Sequence, residues 1–197
     1  MTGSSDEGSY SSPLAYRHYL LSRMAESEGN LPGALVELRQ AIVFDPGSAE
    51  LHVAMGWLLA RVGDLEKAAS EGERAIRLDP SHADAFLLVG RVRDGQRRKA
   101  AAIAALRRAI ELAPDSPEAW LALADLHARN REDAKAEALA RTFSAAHPGN
   151  GALWRQLAKT AAERGRSKLA LRYLRTAAHE EPQPRRSTAV YERRRVD

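Results

Sequence analysis

Five prolines, Pro46, Pro80, Pro114, Pro148 and Pro182, stand 34 residues apart with no insertion between them. A spacing that strict restricts the chain to tandem copies of one structural unit. Proline cannot continue a helix, so each one marks a joint. The register divides the chain into units 15–48, 49–82, 83–116, 117–150 and 151–184.

The same columns are apolar or small in every unit. An early column reads His18, His52, Phe86, Trp120 and Trp154. Three residues on come Leu21, Met55, Val89, Leu123 and Leu157, then the small set Ser22, Gly56, Gly90, Ala124 and Ala158. A later group reads Ala34, Ala68, Ala102, Ala136 and Ala170, then Leu38, Gly72, Leu106, Ala140 and Leu174, then Ala41, Ala75, Ala109, Phe143 and Ala177. Offsets of three, four and seven residues put each group on one helical face. Between the groups lie the breakers EGNLPGA, VGDLEKA and RGRSKLA. Gly29, Gly63 and Gly165 suit the left-handed residue that ends a helix, and Asn30, Asp64 and Ser167 suit the cap of the next. Each unit is predicted to be a helix–turn–helix. Residues 15–182 then form ten antiparallel-paired helices with turns near Gly29, Gly63, Gly95, Asn130 and Gly165.

Composition agrees with a helical stack. Of 197 residues 44% are apolar, much of that alanine, and 6% are aromatic, which suits closely approaching helices. No run reaches the roughly 20 apolar residues that cross a bilayer. The start MTGSSDEGSYSSP lacks the basic and apolar parts of a secretory signal, so a soluble, cytoplasmic protein without membrane insertion is expected. Because TGSSDEGSYSS reads like a linker, a periplasmic or envelope-associated protein with an upstream export signal is the alternative. The lack of cysteine excludes disulfides, thiol catalysis and thiolate metal sites. Arginine outnumbers lysine 25 to 5, a usage associated with GC-rich bacterial genomes. The net charge of +4 concentrates in residues 183–197, where Arg185, Arg186, Arg193, Arg194 and Arg195 face only Glu192 and Asp197.

At these repeated residues the chain resembles the tetratricopeptide repeat (TPR) family, over about 15–184. The resemblance implies an all-α right-handed superhelix, an α-solenoid of antiparallel helix pairs. First helices would line a concave groove and second helices would form the convex back. The ends of such a stack need polar caps. Residues 1–13 are expected to be disordered up to the helix start, with Ser12 and Pro13 suited to its N-cap and first position. The basic segment 185–197 is expected as a capping helix or a disordered tail. Three residues depart from the family pattern. Gly72 stands where a large residue usually fills the hairpin, and Arg93 and His127 occupy a column that is usually aromatic. Gly72 should cost about 1 kcal/mol of helix propensity relative to alanine, which predicts a looser middle of the stack.

No Gly-rich phosphate loop, nucleophile elbow, zinc-spaced histidine pair or aspartate-rich calcium loop is present. A protein that is not an enzyme, with neither cofactor nor metal, is the expectation. His18 and His52 fall in the hairpin core column and are read as hydrogen-bonded structural histidines; His82, His147 and His179 fall near turns. Trp120 and Trp154 are read as hairpin-core residues.

The groove remains as the candidate site. By family resemblance the first helices present Tyr16, Tyr19 and Arg23; Glu50, Val53 and Trp57; Asp84, Leu87 and Arg91; Leu121, Asp125 and Arg129; and Arg155 and Lys159. The partner-binding set drawn from these is Tyr16, Tyr19, Arg23, Val53, Trp57, Leu87, Arg91, Leu121 and Arg129. Such a surface suits a protein or peptide with apolar anchors and acidic groups. Two structural readings stand beside it. Tyr19 and Trp57 could pack against neighbouring first helices, and Arg23, Arg91 and Arg129 could pair with Glu50, Asp84 and Asp125. Family members that grip a C-terminal carboxylate use a lysine and asparagines on this face. Here Arg23, Trp57 and Arg91 stand at the asparagine positions that align, so that clamp is not expected. A noncatalytic protein-binding scaffold is therefore the main functional reading. A nucleic-acid adaptor using the arginine-rich tail, or a regulatory subunit of a larger enzyme or of a secretion or envelope assembly, are the alternatives. Against nucleic acid, the body's charges alternate in sign and form no basic stripe. Self-association is left open.

Overall fold

The structure, a computed structural model, describes residues 12–180. The expectations for residues 1–11 and for the arginine-rich segment 185–197 lie outside those residues. Ten helices fill the described chain: α1 (Pro13–Ser27), α2 (Leu31–Phe44), α3 (Ala49–Arg61), α4 (Leu65–Leu78), α5 (Ala83–Gly95), α6 (Lys99–Leu112), α7 (Pro117–Arg129), α8 (Asp133–Ala146), α9 (Ala152–Glu163) and α10 (Ser167–Glu180). No strand occurs among the described residues, and none of these helices is long and apolar enough to cross a membrane. The described residues form two compact units, divided between Leu126 and His127.

The joint inside each helix pair repeats to the residue. Gly29, Gly63, Arg97, Arg131 and Gly165 all have positive φ, between 60° and 89°. After each of them an amide donates back to the carbonyl five residues earlier, as in Asn30 to Ala25 at 2.8 Å and Arg98 to Arg93 at 2.8 Å. This is the Schellman closure of a helix C-terminus. In the third pair the left-handed residue is Arg97, two residues beyond the expected Gly95, which is still helical. In the fourth pair it is Arg131, next to Asn130. Asn30 and Asp64 cap the following helices by accepting from the amides of Gly33 (2.9 Å) and Lys67 (3.2 Å). Ser167, expected as the third such cap, is instead the first residue of α10. Ser12 stands at the N-cap of α1 with Pro13 following, although its hydroxyl makes no capping bond.

In the first unit α1 pairs with α2, α3 with α4 and α5 with α6; α2 also meets α3, and α4 meets α5. Leu38, Leu51, Leu58, Leu88 and Val92 fill the core between alanines that let the backbones approach. Gly56 is where this approach is tightest. A β-carbon there would lie 2.3 Å from Leu88 Cδ2 and 3.2 Å from the Ala68 carbonyl oxygen. One repeat earlier Ser22 makes the corresponding contact as a hydrogen bond, its hydroxyl donating to the Ala34 carbonyl at 2.9 Å.

Gly72, on which the expected looser middle rests, lies against packed side chains. Val89 and Leu88 occupy the space its side chain would need, the nearest atom being 2.7 Å from a notional β-carbon. Arg93 and His127, the other departures, have polar partners. Arg93 pairs with Glu73 and donates to Gln96 at 2.9 Å. His127, 3% exposed, bonds Glu132 through Nδ1 at 2.6 Å.

In the second unit α9 pairs with α10 and touches α8. Leu153, Trp154, Leu157, Phe143 and Tyr173 form its buried centre. The Arg166 guanidinium grips Asp133 through both oxygens and holds that carboxyl below its usual range. Of the core columns read from the sequence, Leu174 departs, being 48% exposed. It lies on the last described helix, where no described neighbour covers it.

Candidate functional site

The first helices of the first unit carry most of the predicted site residues. Val53 is 4% and Leu87 7% exposed, so both form the floor of this face and do not project from it. Val53 packs with Ala75 and Ala85, because small alanines on the next helices let the backbones close over it. Leu87, a member of the predicted partner-binding set, therefore does not extend Tyr19 and Trp57 into a continuous apolar strip.

Trp57 is half-buried and packs against both core clusters of the first unit. The Arg91 guanidinium lies over its ring, 6.0 Å from the centroid, at the range of a cation–π contact. Tyr19 packs on the core beside α1, and Tyr16 is half-buried on the same helix. Arg23 is exposed. Leu121 is half-buried on α7. Arg129, the last residue of α7, belongs to the second unit and is half-buried.

Glu50 is held by a histidine and not by the arginine ladder that repeat offsets suggested. It bonds His82 Nε2 at 3.0 Å. That bond holds the Glu50 carboxyl below its ordinary value and raises His82 above its own. Arg61 on α3 reaches Glu26 on α1 at 2.6 Å.

His18 and His52 are hydrogen-bonded as the sequence reading expected, to glutamates it did not name. His18 Nδ1 bonds Glu37 at 2.7 Å, and His52 Nδ1 bonds Glu71 at 2.6 Å, both across 19 residues. A glutamate nineteen residues after each core-column histidine was the available signal. Arg74 Nε donates to His52 Nε2 at 3.1 Å. Nε2 also lies 3.3 Å from the Pro46 carbonyl oxygen, and because the Glu71 carboxylate accepts, Nδ1 donates toward it.

His52 and Glu71 line a cleft of about 400 Å³ on the second-helix side, between α2 (Ile42, Val43), α3 (His52, Met55) and α4 (Glu71, Arg74). A cleft of about 470 Å³ in the second unit is lined by Glu137, Arg141, Trp154, Arg172, Tyr173 and Thr176. The two correspond in register. His52 and Trp154, Glu71 and Tyr173, Arg74 and Thr176, and the flanking Arg39 and Arg141 are each three repeats apart. In the second cleft the Trp154 and Tyr173 rings meet at 5.8 Å, and Tyr173 donates to Glu137 at 2.9 Å. Burial, reinforced by that bond, pushes the Tyr173 phenol up to about 12.

The sequence model described as tetratricopeptide repeat matches residues 53–117 and 90–151, together half of the chain. The chain belongs to the TPR family. Solved TPR structures share its all-α solenoid fold. MamA matches at 22% identity over 93% of this chain and 98% of its own, with a TM-score of 0.65. A thermophilic TPR protein in Thermus thermophilus matches at 18% identity over 86% and 92%, with a TM-score of 0.67. YrrB, described as a TPR protein with an unusual peptide-binding site, matches at 21% identity over 86% and 87%, with a TM-score of 0.59. The comparison with curated protein sequences found no match. TPR proteins are in general interaction scaffolds, and this chain has that fold.

Proposed function

We propose that this TPR protein is a noncatalytic scaffold that binds a peptide or protein partner on the first-helix face of its first unit, with Trp57 and Arg91 at the centre. The observation that carries this is the Arg91 guanidinium over a half-buried Trp57. Tryptophan, tyrosine and arginine are the side chains that most often carry interface energy. Tyr16 and Tyr19 extend the aromatic character onto α1, and exposed Arg23 supplies a cation for acidic groups on the partner. Val53 and Leu87 enter as floor, and Leu121 continues the apolar surface on α7. The peptide-binding description of YrrB supports the reading at the level of fold.

Capture with Trp57→Ala tests it. The substitution should weaken capture of a partner by about thirtyfold or more while helicity stays near that of the parent. If the folded fraction of a destabilised Trp57→Ala protein binds with undiminished affinity, Trp57 is a packing residue and the proposal fails. A nucleic-acid role would rest on residues 185–197. Their deletion should then abolish a steeply salt-dependent affinity.

A further inference from the structure

The two register-equivalent clefts differ in how their cations are satisfied. In the second unit Arg141 and Arg172 both pair with Glu137, which stands four residues before Arg141 on α8. Three repeats earlier the position of Glu137 is held by Leu35, so Arg39 lacks that carboxylate. Among the described residues Arg39 has no ion pair or hydrogen bond. Arg74 bonds only the imidazole of His52, while Glu71 is engaged by the other nitrogen of that ring. Lys67, also at the cleft, is held by Asp64 at 2.6 Å. Two guanidiniums therefore border the first cleft with no carboxylate bonded to either among the described residues, Glu71 in the same lining being turned to His52, above a wall of Ile42, Val43, Met55 and Leu59. Val43 is 69% and Val36 55% exposed, which carries the apolar surface outward along α2.

We propose that this second-helix cleft is a separate docking site for a protein segment that places an aspartate or glutamate beside an aliphatic side chain. The carboxylate bonds Arg39 and Arg74 at the rim of the cleft, and the aliphatic group seats on Ile42, Val43 and Met55. Charge complementarity selects the partner. Guanidiniums bind a carboxylate with charge-assisted hydrogen bonds, and the apolar wall excludes the water that would compete. This site is independent of the Trp57 face.

The test is a methyl NMR titration of the full chain with an acetylated, amidated hexapeptide alternating leucine and aspartate, against its counterpart with lysine for aspartate. Saturable shifts at Ile42, Val43, Met55 and Leu59 are expected with the acidic peptide alone. Arg39→Glu should weaken them by at least about tenfold, since it turns an attraction into a repulsion. Arg39 is exposed and bonded to nothing described, so circular dichroism should be unchanged. Arg141→Gln, the register twin, should leave these shifts as they are. Equal shifts with the lysine peptide, undiminished affinity in Arg39→Glu, no saturation at millimolar peptide, or shifts confined to Val53 and Leu87 would each overturn the proposal. The last outcome would leave the Trp57 reading standing.

Discussion

One position in the repeat is built in two chemistries. In the first unit it is a histidine bonded to a glutamate, His52 with Glu71; in the second it is an aromatic pair, Trp154 with Tyr173. Spacing along the chain is the same in both, since the residues keep the 34-residue register. The difference lies in what each pair requires of its surroundings. The imidazole needs a partner at each nitrogen, which fixes Glu71 and Arg74 in place. The indole needs mainly volume and contact, and its unit tolerates an imperfection. Trp120 Nε1 donates to the Pro114 carbonyl at 2.9 Å, whereas Trp154 Nε1, the same atom one repeat on, is buried without a hydrogen-bond partner among the described residues. The start of that helix is also altered, α9 beginning at Ala152, one residue later than the 34-residue register of α3, α5 and α7 gives. Because each repeat touches only its neighbours, such changes in chemistry stay local.

The sharpest test removes the aromatic member. Trp154→Ala should destabilise by about 3–5 kcal/mol, the usual consequence of emptying a large core site. Hydrogen exchange should show the loss within residues 127–180, and uniform loosening of the whole chain would break the claim of local coupling. The polar member comes next. Glu71→Ala leaves a buried imidazole donor without an acceptor, which should cost about 1–3 kcal/mol in a denaturant melt. A loss as large as that of Trp154→Ala would mean the two pairs do equivalent work.

A smaller effect, of opposite sign, asks whether the joints of the two units are alike. Arg97 and Arg131 hold φ of 62° and 60°, a region costly for any residue with a β-carbon. Arg97→Gly and Arg131→Gly should each stabilise by about 0.5 kcal/mol, the relief of strain being partly offset by the greater freedom of glycine in the unfolded chain. Unequal gains would show that tertiary context, and not the repeat joint, sets the strain.

The smallest effect belongs to His82 and Glu50, a pair of the first unit. His82 binds its proton more tightly folded than unfolded. Its stabilisation is therefore full below its ordinary value of 6.5 and lost as pH rises through the raised folded value. Glu50 behaves inversely. Its share is full above its ordinary 4.5 and lost as pH falls through the lowered folded value. The pair supports the first unit most between those two ordinary values. The His82 titration midpoint by NMR should lie above 6.5 and fall toward it in Glu50→Gln.

The repeat architecture was legible because proline and small residues carry strong local meaning. A proline every 34 residues places the joints, and alanine columns mark where helices touch. The turn expected near Gly95 is there, but its left-handed residue is Arg97, two positions on, a residue type with no turn signature. Val53 and Leu87 were assigned to an open face because an offset reports which side of a helix a residue occupies, not how closely the next helix covers it. Gly72 looked like a defect for a related reason: the side chains that fill its space, Leu88 and Val89, come from a different repeat. The paired histidines were half legible. Their core role follows from the column, but the cleft beside His52 is made by three helices at once, and no spacing along the chain encodes it.

The buried, unbonded indole of Trp154 also gives the second unit an optical signature. An excited indole emits at longer wavelength when solvent dipoles or a hydrogen bond at Nε1 relax around it, and the Trp154 nitrogen is shut away from solvent with no partner among the described residues. Trp57 and Trp120 are both only half-buried, and Trp57 lies beneath a guanidinium. Emission from the folded chain is thus a sum whose bluest component belongs to residues 127–180, so unfolding of that unit can be followed by colour with no label attached.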